Sequence, residues 1–396
     1  IKSSTTEPVA TTGKDEKVEK KTEPQPHKDK KHLPLRIAKH EVEYQGQTFM
    51  VPAKKEHFKI AVILPFHLGF KTKSQKRVAD IMMDYYQGLK LALDELEAQG
   101  LHADISVYDN KNDSNELKRI LRKREIYKMD VVIGPIKESQ VKIVSRVLKP
   151  YKIPVFSPFS AVEGLEDSNP LCYTFRSGYH LKAVQLAKYL EKNHKDQKVV
   201  ILRDGKSYDK NFVPHLVREL NKTGKLKYVK EAYKPNINWA NLLVKDKDNV
   251  VIIASKQQNT VQDCLGSLIA SKRDVTVFGD HGWTNFNDND YMFWMNLNIH
   301  LLGNDLENQN DSLMQDLRLR FRETYAEDPS NYALMGYDQT EFIGEVLMAF
   351  GEHFPKFIEG HKFYYNHTFF QFVPFRGCRQ NKNLCILRYE DHQLKV

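Results

Sequence analysis

The chain has 396 residues, of which 41% are hydrophobic, so it is long enough to bury two cores of ordinary domain size. Its 60 basic and 51 acidic side chains give a formal charge of +9, a balance that predicts solubility and weak attraction to polyanions. Nucleic-acid binding is not predicted, because no basic stripe carries interleaved stacking aromatics, and a membrane span is not predicted, because no run of about 18 apolar residues occurs.

The first part of the chain, residues 1–58, is predicted to be a disordered charged tether followed by a short hairpin. Residues 1–32 are rich in Lys, Glu, Thr and Pro and contain almost no large apolar side chains, so they cannot offset the entropy cost of folding. Alternating residues on either side of Gly46 predict the hairpin. Because the chain starts at Ile1 and not at Met, we expect a mature or excised piece that has lost a signal peptide, a lipid anchor or an upstream domain.

From Lys59 onwards, apolar strands alternate with amphipathic helices. This alternation is typical of a parallel sheet that is covered on both faces. The predicted strands of a first series are 60–66, 105–108, 131–133 and 154–156, and its predicted helices are 78–96, 117–129 and 139–148.

A second series of the same kind begins after residue 176. Its predicted strands are 199–202, 228–233, 250–253 and 275–278, and its predicted helices are 181–192, 212–220 and 260–271. Two such series predict two similar lobes with a cleft between them. The carboxyl ends of parallel strands, where such sheets bind ligands, are expected to line the cleft.

Several segments carry a resemblance to a known family. The order of IAVILPF, ISVYDN, VVIGPI, IPVFSPFSA and LCYTFRS resembles the type I periplasmic binding proteins, the leucine/isoleucine/valine receptor family that includes substrate-binding proteins of ABC transporters. The resemblance implies an α/β fold with two Rossmann-like lobes, parallel central sheets and a multi-strand hinge. It assigns residues 59–177 and 305–353 to lobe 1, and residues 178–304 and 354–396 to lobe 2.

The end of the chain, from FFQFVP to NKNLCILRYEDHQL, is similar to binding-protein-like domains of Bacteroidetes envelope proteins that often follow a LysM peptidoglycan-binding domain. No LysM repeat is visible in this sequence. The similarity implies an exported protein of the periplasm or cell envelope.

The resemblance also implies where a ligand would bind. Amino-acid receptors of the family hold the substrate carboxylate with a serine after the central strand, and this position falls on Glu138, with Ser139 beside it. The loop threonine falls on Ala161, and the acid that pairs with the substrate ammonium is replaced by His281, although the adjacent Asp280 could substitute. An anion at Glu138 would repel a carboxylate by about 1 to 4 kcal/mol at about 4 Å. A shift of one residue would restore Ser139, so an amino-acid ligand stays open.

The remaining candidates are hydrophobic or hydroxyl-bearing residues at predicted strand ends. Tyr208 matches a tyrosine that the family places at the cleft, although a surface-loop tyrosine is an equally good interpretation. The set of expected ligand-binding residues is completed by Phe66, Ser157, Phe159 and Ser160.

Other kinds of site have little support in the sequence. The four cysteines lack CxxC spacing, and only Cys378 and Cys385 are close enough to close a loop; otherwise they are small buried hydrophobic residues. No metal or cofactor is expected, since no HExxH, P-loop or dinucleotide-binding motif occurs.

Catalysis is not predicted either, because no motif such as GxSxG supports it, although acid and base residues need only meet in space. The sequence favours a non-enzymatic module that binds a small polar molecule such as an amino acid, a peptide or a cell-wall fragment. The alternative is a ligandless scaffold that binds an envelope protein. The two differ physically, because a receptor keeps convergent polar groups at its cleft.

Overall fold

The computed structural model describes residues 39–235, 237–286, 291–303, 312–365, 368–390 and 393–395. The tether predicted for residues 1–32 lies outside these ranges. The predicted hairpin is present: β1 (Lys39–Tyr44) and β2 (Gln47–Pro52) pair antiparallel around Gln45 and Gly46. Within the described ranges, no helix combines the length and the apolar character needed to cross a membrane.

Lobe 1 is built on a seven-stranded sheet, in which every strand except one edge strand is parallel to its neighbours. Across the sheet the order is β15, β16, β7, β6, β5, β3, β4, and β15 is the antiparallel edge strand. These strands are β3 (His57–Leu64), β4 (His102–Asp109), β5 (Val131–Ile133), β6 (Val155–Ser157), β7 (Cys172–Thr174), β15 (Phe372–Phe375) and β16 (Cys378–Asn381).

Lobe 2 repeats this plan with a second seven-stranded sheet. Its order is β18, β17, β12, β11, β10, β8, β9, and the strands from β12 to β9 are parallel. They are β8 (Lys198–Arg203), β9 (Tyr228–Ala232), β10 (Asn249–Ala254), β11 (Val275–Asp280), β12 (Ile299–Gly303), β17 (Cys385–Glu390) and β18 (Gln393–Lys395). A small separate ladder joins β13 (Phe363–Tyr364) to β14 (Phe369–Phe370). The expected architecture of two lobes with mostly parallel sheets is confirmed.

Helices connect the parallel strands in both lobes. The helices associated with lobe 1 are α1 (Lys73–Ala98), α2 (Ser114–Ile120), α3 (Glu138–Leu148), α9 (Ser312–Tyr325) and α10 (Asn331–Phe350). Those of lobe 2 are α4 (Tyr179–Asn193), α5 (Ser207–Thr223), α6 (Trp239–Leu242), α7 (Gln258–Ala270) and α8 (Tyr291–Asn296). The longest, α1, begins with a capping box: the Thr72 hydroxyl accepts from the Gln75 amide, and the Gln75 side chain accepts from the Thr72 amide.

The basic helix predicted for 117–129 is shorter than expected. It ends at Ile120 and is followed by a 3-10 turn over Arg124–Lys128. A continuous helix would turn Arg124 and Glu125 towards the core below Ile120. Breaking the helix allows Ile126 to be buried there, together with Leu117 and Met129.

The end of the chain is shared between the lobes, which corrects the expected boundary at residue 354. Strand β16 pairs in parallel with β7 in lobe 1, whereas β17 pairs antiparallel with β12 in lobe 2. The physical reason lies in Phe372, which is fully buried among aromatic side chains of lobe 1 such as Tyr173 and Phe175. Among the described residues after 354, those in the lobe 2 sheet begin at Cys385.

Because the end of the chain is divided between the two sheets, Cys378 and Cys385 lie in different sheets. Cys378 lies in β16 and Cys385 in β17, and each of the four cysteines is a buried thiol outside any disulfide. Burial raises the pKa of the Cys378 thiol to about 12, so the thiol stays protonated at neutral pH. The cysteines are therefore small buried hydrophobic residues, and the alternative of a loop closed by a disulfide is wrong.

Two short connections between the sheets are hydrogen-bonded to one another. Residues 175–178 lead from lobe 1 to lobe 2, and residues 382–384 do the same near the end of the chain. The Ser177 hydroxyl lies 2.7 Å from the Asn381 carbonyl oxygen and 2.8 Å from the Asn383 carbonyl oxygen. The Asn381 side-chain amide donates to the Phe175 carbonyl across 3.1 Å. These buried polar contacts hold the two connections side by side.

Candidate functional site

A cavity of about 480 Å³ lies between the lobes. Its lining comes from loops that follow strands of both sheets and from the first turns of helices. The lining residues are Glu138, Phe159, Ser160, Ala161, Glu163, Arg176, Ser177, Gly178, Tyr179, Lys182, Asn211, Lys256, Asp280, His281, Gly282, Asn285, Leu302 and Gly303.

The strand order explains why these residues meet. In lobe 1, Ser160 and Glu163 follow β6, and Glu138 begins α3 after β5. In lobe 2, Lys256 follows β10 and Asp280 ends β11. Because neighbouring parallel strands all end at the same edge of a sheet, side chains that are far apart in sequence are brought to one cleft.

The lobe 2 wall is organised around Asp280, whose side chain is only 4% exposed. Its Oδ2 accepts from Lys182 Nζ across 3.0 Å, and its Oδ1 is 2.9 Å from Lys256 Nζ and accepts from the Gly282 amide across 3.0 Å. Burial alone would raise the pKa of the Asp280 carboxyl, but the two ammonium groups and the Gly282 amide outweigh it and hold that pKa well below its ordinary value. Asp280 is therefore a carboxylate with both oxygens engaged.

Lys256 is the more accessible of the two lysines. Its side chain is 43% exposed, against 13% for Lys182, and its Nζ lies 4.9 Å from the centre of the Tyr208 ring. Partial burial lowers the pKa of the Lys256 ammonium, the nearby charges of Lys182 and Arg176 lower it further, and Asp280 opposes the shift. The wall therefore places two lysine ammonium groups on one carboxylate, and Arg176 lies elsewhere in the same lining.

The turn that carries His281 and Gly282 is fixed by a tryptophan below it. Trp283 is fully buried and donates from its indole nitrogen to the Ser255 carbonyl across 2.9 Å. A side chain at position 279 would collide with the Trp283 ring, so Gly279 allows the ring to pack under the end of β11. This packing sets the position of the Asp280 turn relative to Lys256, which follows Ser255.

The lobe 1 wall is acidic. Glu138 Oε1 is 2.9 Å from Lys142 Nζ and accepts from the Glu163 amide across 3.2 Å. Glu163 Oε1 accepts from the Tyr179 amide across 2.9 Å, a contact that joins this wall to the first turn of α4. Two carboxylates therefore line the cavity from lobe 1, and Lys142 balances only one of them.

The structure brings several of the expected binding residues together. Glu138, Phe159 and Ser160 line the cavity from lobe 1, and Asp280 and His281 line it from lobe 2. The Ser160 hydroxyl is not directed freely at the cavity, because it donates to the Ile136 carbonyl. The role of these five residues as ligand contacts stays a prediction.

The other four expected residues do not line the cavity. Phe66 belongs to the lobe 1 core, where its ring packs edge-on against Tyr86. Ser157 is fully buried and donates to the Ser160 carbonyl across 3.0 Å, so it shapes the loop from below. Ser139 is exposed outside the lining, and Tyr208 is buried beneath Lys256.

The sequence interpretation missed the cations. Arg176, Lys182 and Lys256 all line the cavity. A usable signal existed for Lys256, because it follows a fully apolar predicted strand, as Asp280 does. Lys182 lies inside α4 and faces the cavity only through the packing of that helix, so no local pattern identifies it. Across the described residues, no group of three His, Cys, Asp or Glu side chains is arranged to hold a metal ion.

Comparison with known proteins agrees with this geometry. A family model described as "Receptor family ligand binding region" matches residues 77–266. No curated protein matches the chain.

Solved structures that resemble the chain include substrate-binding and solute-binding proteins of ABC transporters. A putative branched-chain amino acid ABC transporter protein from Rhodospirillum rubrum has a TM-score of 0.67 at 13% identity, covering 86% of this chain and 99% of that one. An ABC transporter substrate-binding protein from Desulfitobacterium hafniense, solved with leucine, has a TM-score of 0.56 at 18% identity with the same coverage. A solute-binding protein from R. palustris, solved with benzoate, has a TM-score of 0.53 at 13% identity, covering 85% of this chain and 94% of that one. These similarities identify the fold as that of the type I periplasmic binding proteins.

Proposed function

We infer that this protein is a non-enzymatic binding protein that holds a small polar ligand in the cavity between its lobes. The observation that carries this inference is the cavity itself: about 480 Å³, with charged groups from both sheets converging on it. Small-molecule sites are typically clefts of about 300 to 1,000 Å³ with a few polar groups that fix the ligand's orientation. The fold supports the same conclusion, since the solved structures that share it include proteins crystallised with leucine and with benzoate.

A ligand in this position would bind to both lobes at once. Its contacts would be complete only in one arrangement of the lobes, so binding would favour that arrangement over others. The connections on which Ser177 and Asn381 lie would have to accommodate any change in the angle between the lobes. Ligand occupancy would thereby be converted into a change of shape that a partner could recognise.

Two carboxylates of the cavity, Asp280 and Glu138, are ion-paired, which fits binding better than catalysis. Asp280 is ion-paired with Lys182 and Lys256, and Glu138 is ion-paired with Lys142. A general base near neutral pH needs a pKa near the working pH, whereas Asp280 is held far below it.

A thermal-shift screen against amino acids, short peptides, muropeptides and sugars tests the proposal. A ligand present at 100 times its dissociation constant should stabilise the protein by about 2.7 kcal/mol. Ala161→Trp would place an indole ring in the cavity and should abolish the stabilisation. Lys188→Trp, on the exposed side of α4 and outside the lining, is the matched control and should retain it.

The competing hypothesis is a ligandless scaffold that binds an envelope protein. One observation favours it: at the turn where amino-acid receptors of this fold offer an acid to the ligand, both oxygens of Asp280 are already engaged. If no compound in the screen stabilises the wild-type protein, the scaffold becomes the better explanation.

We further propose that the protein acts in the bacterial cell envelope after export, in association with peptidoglycan. The similarity of its last residues to LysM-associated envelope domains supports this placement. Fractionation of cells that express the native protein should recover it outside the cytoplasm. Recovery in the cytoplasm alone would contradict the proposal.

A further inference from the structure

We propose that the lobe 2 wall, formed by Lys182, Lys256 and Asp280, binds an oxyanion of the ligand, a carboxylate or a phosphate, and that the ligand's hydrogen-bond donors face Glu138 and Glu163 of lobe 1. This inference rests on the proposed binding function and specifies its ligand class. It reverses the polarity that the resemblance predicts, in which lobe 1 holds the carboxylate and lobe 2 pairs with an ammonium group.

The first step of the argument is that Asp280 is not available to a cationic ligand. Its side chain is 4% exposed, and its two oxygens accept from Lys182, Lys256 and the Gly282 amide. A ligand ammonium group would have to displace a lysine from this carboxylate. It would also approach two other ammonium groups, which repel it.

The second step is the charge that remains after pairing. Two lysines against one aspartate leave the wall formed by Lys182, Lys256 and Asp280 with one net positive charge. A lysine ammonium has three donors, and each lysine directs only one of them at Asp280. Donors and charge are therefore both available to an oxyanion.

The third step is the crowding of these cations. Burial disfavours the charged form of Lys256, and the charges of Lys182 and Arg176 disfavour it further through repulsion, whereas Asp280, 2.9 Å from Nζ, opposes these effects. An oxyanion seated between them would relieve this repulsion. Lys256 is the group best placed to make the contact, because its side chain is 43% exposed and lies at the cavity surface.

The fourth step is the opposite wall. Glu138 and Glu163 line the cavity from lobe 1, and both already accept backbone amides. A second anion on this side would face two carboxylates with one lysine, Lys142, to compensate them. The two walls therefore orient a ligand, with its anionic end on lobe 2 and its donors on lobe 1.

Three four-carbon probes of the same length test the charge preference. 4-Hydroxybutyrate carries an anion at one end and a hydroxyl donor at the other, 1,4-butanediol is neutral and putrescine carries a cation at each end. Inorganic phosphate is added as a fourth probe, to distinguish a carboxylate site from a phosphate site. Each is titrated into the full chain by calorimetry at constant ionic strength, because salt screens exposed charges. 4-Hydroxybutyrate or phosphate should bind, and butanediol and putrescine should bind at least tenfold more weakly.

Substitutions of the lysines test whether the anionic probe binds at the lobe 2 wall. Lys256→Gln should weaken binding of the anionic probe at least tenfold, and Lys182→Gln should do the same. Lys188→Gln, on α4 but outside the lining, is the matched control and should change the affinity less than twofold. Lys256 is partly exposed, so Lys256→Gln should fold even if Lys182→Gln does not.

The outcomes separate this inference from the function on which it rests. If a neutral or cationic compound binds and Ala161→Trp abolishes that binding, the binding function stands and the oxyanion site is wrong. Anion binding that Lys256→Gln leaves unchanged also overturns the oxyanion site. If neither these probes nor the screen described above yields any binding, both proposals fail.

Discussion

Lobe 1 and lobe 2 each direct a mostly parallel seven-stranded sheet at the same cavity, and in both lobes the lining follows the carboxyl ends of strands. Their chemistry differs. Lobe 1 offers Glu138 and Glu163, whereas lobe 2 offers Lys182 and Lys256 around a single buried carboxylate. The shared topology therefore sets the position of the cavity, while a few residues at strand ends and helix starts set the charge of each wall.

The cores of the lobes differ as well. Lobe 1 contains a dense set of aromatic rings, with Phe156 packed against Tyr173, Phe175, Phe354 and Phe372 at centroid distances between 4.7 and 6.1 Å. Lobe 2 is filled mainly by aliphatic side chains with a few rings such as Trp283. One of the lobe 1 rings, Phe372, comes from the end of the chain, so the stability of lobe 1 depends on residues that follow most of lobe 2 in sequence.

The largest effect is therefore expected from Phe372→Ala. The ring is fully buried and packs against Phe156, Tyr173 and Phe175, so truncation should lower the free energy of unfolding by about 3 to 5 kcal/mol. Chemical denaturation gives the magnitude, and hydrogen exchange should show faster exchange in the lobe 1 strands.

Phe70→Ala is the control for this variant, because the Phe70 ring is 48% exposed and its loss should cost less than about 0.5 kcal/mol. If Phe372→Ala accelerates exchange in the lobe 2 strands and spares lobe 1, the assignment of β15 and β16 to lobe 1 is wrong.

A smaller effect is expected from Asp280→Asn in the lobe 2 wall. Removing this carboxylate leaves the Lys182 and Lys256 ammonium groups without their shared partner, which should cost about 2 kcal/mol near neutral pH. The value is below that of a fully buried pair because Lys256 is partly solvated. Asp274→Asn, at an exposed position just before β11, should have almost no effect.

The difference in free energy of unfolding between wild type and Asp280→Asn should depend on pH in a defined direction. The folded-state pKa of Asp280 lies below the ordinary value of 3.8, so its contribution is complete above about pH 4 to 5 and is lost as the pH falls towards the folded-state pKa. Denaturation series at pH 7 and pH 3 measure the change. If the difference in free energy of unfolding between wild type and Asp280→Asn is larger at pH 3 than at pH 7, the assigned ion pairs are wrong.

The smallest effect on stability is expected from Glu138→Gln in the lobe 1 wall. The Glu138 side chain is 36% exposed and paired with Lys142, so its neutralisation should change the free energy of unfolding by less than about 0.5 kcal/mol. The same substitution makes the cavity less negative, so 4-hydroxybutyrate or phosphate should bind a few-fold more tightly, as calorimetry would show. Glu97→Gln, exposed on α1, should leave the affinity unchanged, and weaker anion binding by Glu138→Gln would contradict the polarity that we assign to the walls.

Much of the fold was predictable because burial on both faces of a parallel strand leaves a continuous apolar run. The segments 199–202 and 250–253 illustrate this, and both lie inside fully formed strands, β8 and β10. The helix expected over 117–129 was wrong because its apolar spacing stays helical only as far as Leu121. The strands after residue 370 were not predicted, and the resemblance assigned that whole segment to lobe 2. Local pattern could not divide it between the sheets, because the pairing partners lie far away in sequence: Tyr173 for Arg379 and Gly303 for Cys385.

The candidate site was also predictable only in part. Asp280, His281 and Glu138 were predicted because they follow apolar strands at positions that the resemblance marks, and they line the cavity. Tyr208 and Ser157 were predicted on the same basis, yet they are buried beneath the lining, because a strand end or helix start fixes a residue's neighbourhood but not the direction of its side chain. Lys182 was missed because only the packing of α4 against the end of β11 brings it within 3.0 Å of Asp280.

The sequence by itself determined the alternation of strands and helices, the two lobes and the edge of each sheet at which a ligand would bind, because each follows from local apolar periodicity and from the geometry of parallel strands. Only the tertiary structure decided that the final strands are divided between the sheets and that Asp280 is already paired with Lys182 and Lys256. Both outcomes depend on contacts between residues far apart in the chain, and ion pairing in particular depends on distances of a few ångströms that no local pattern encodes.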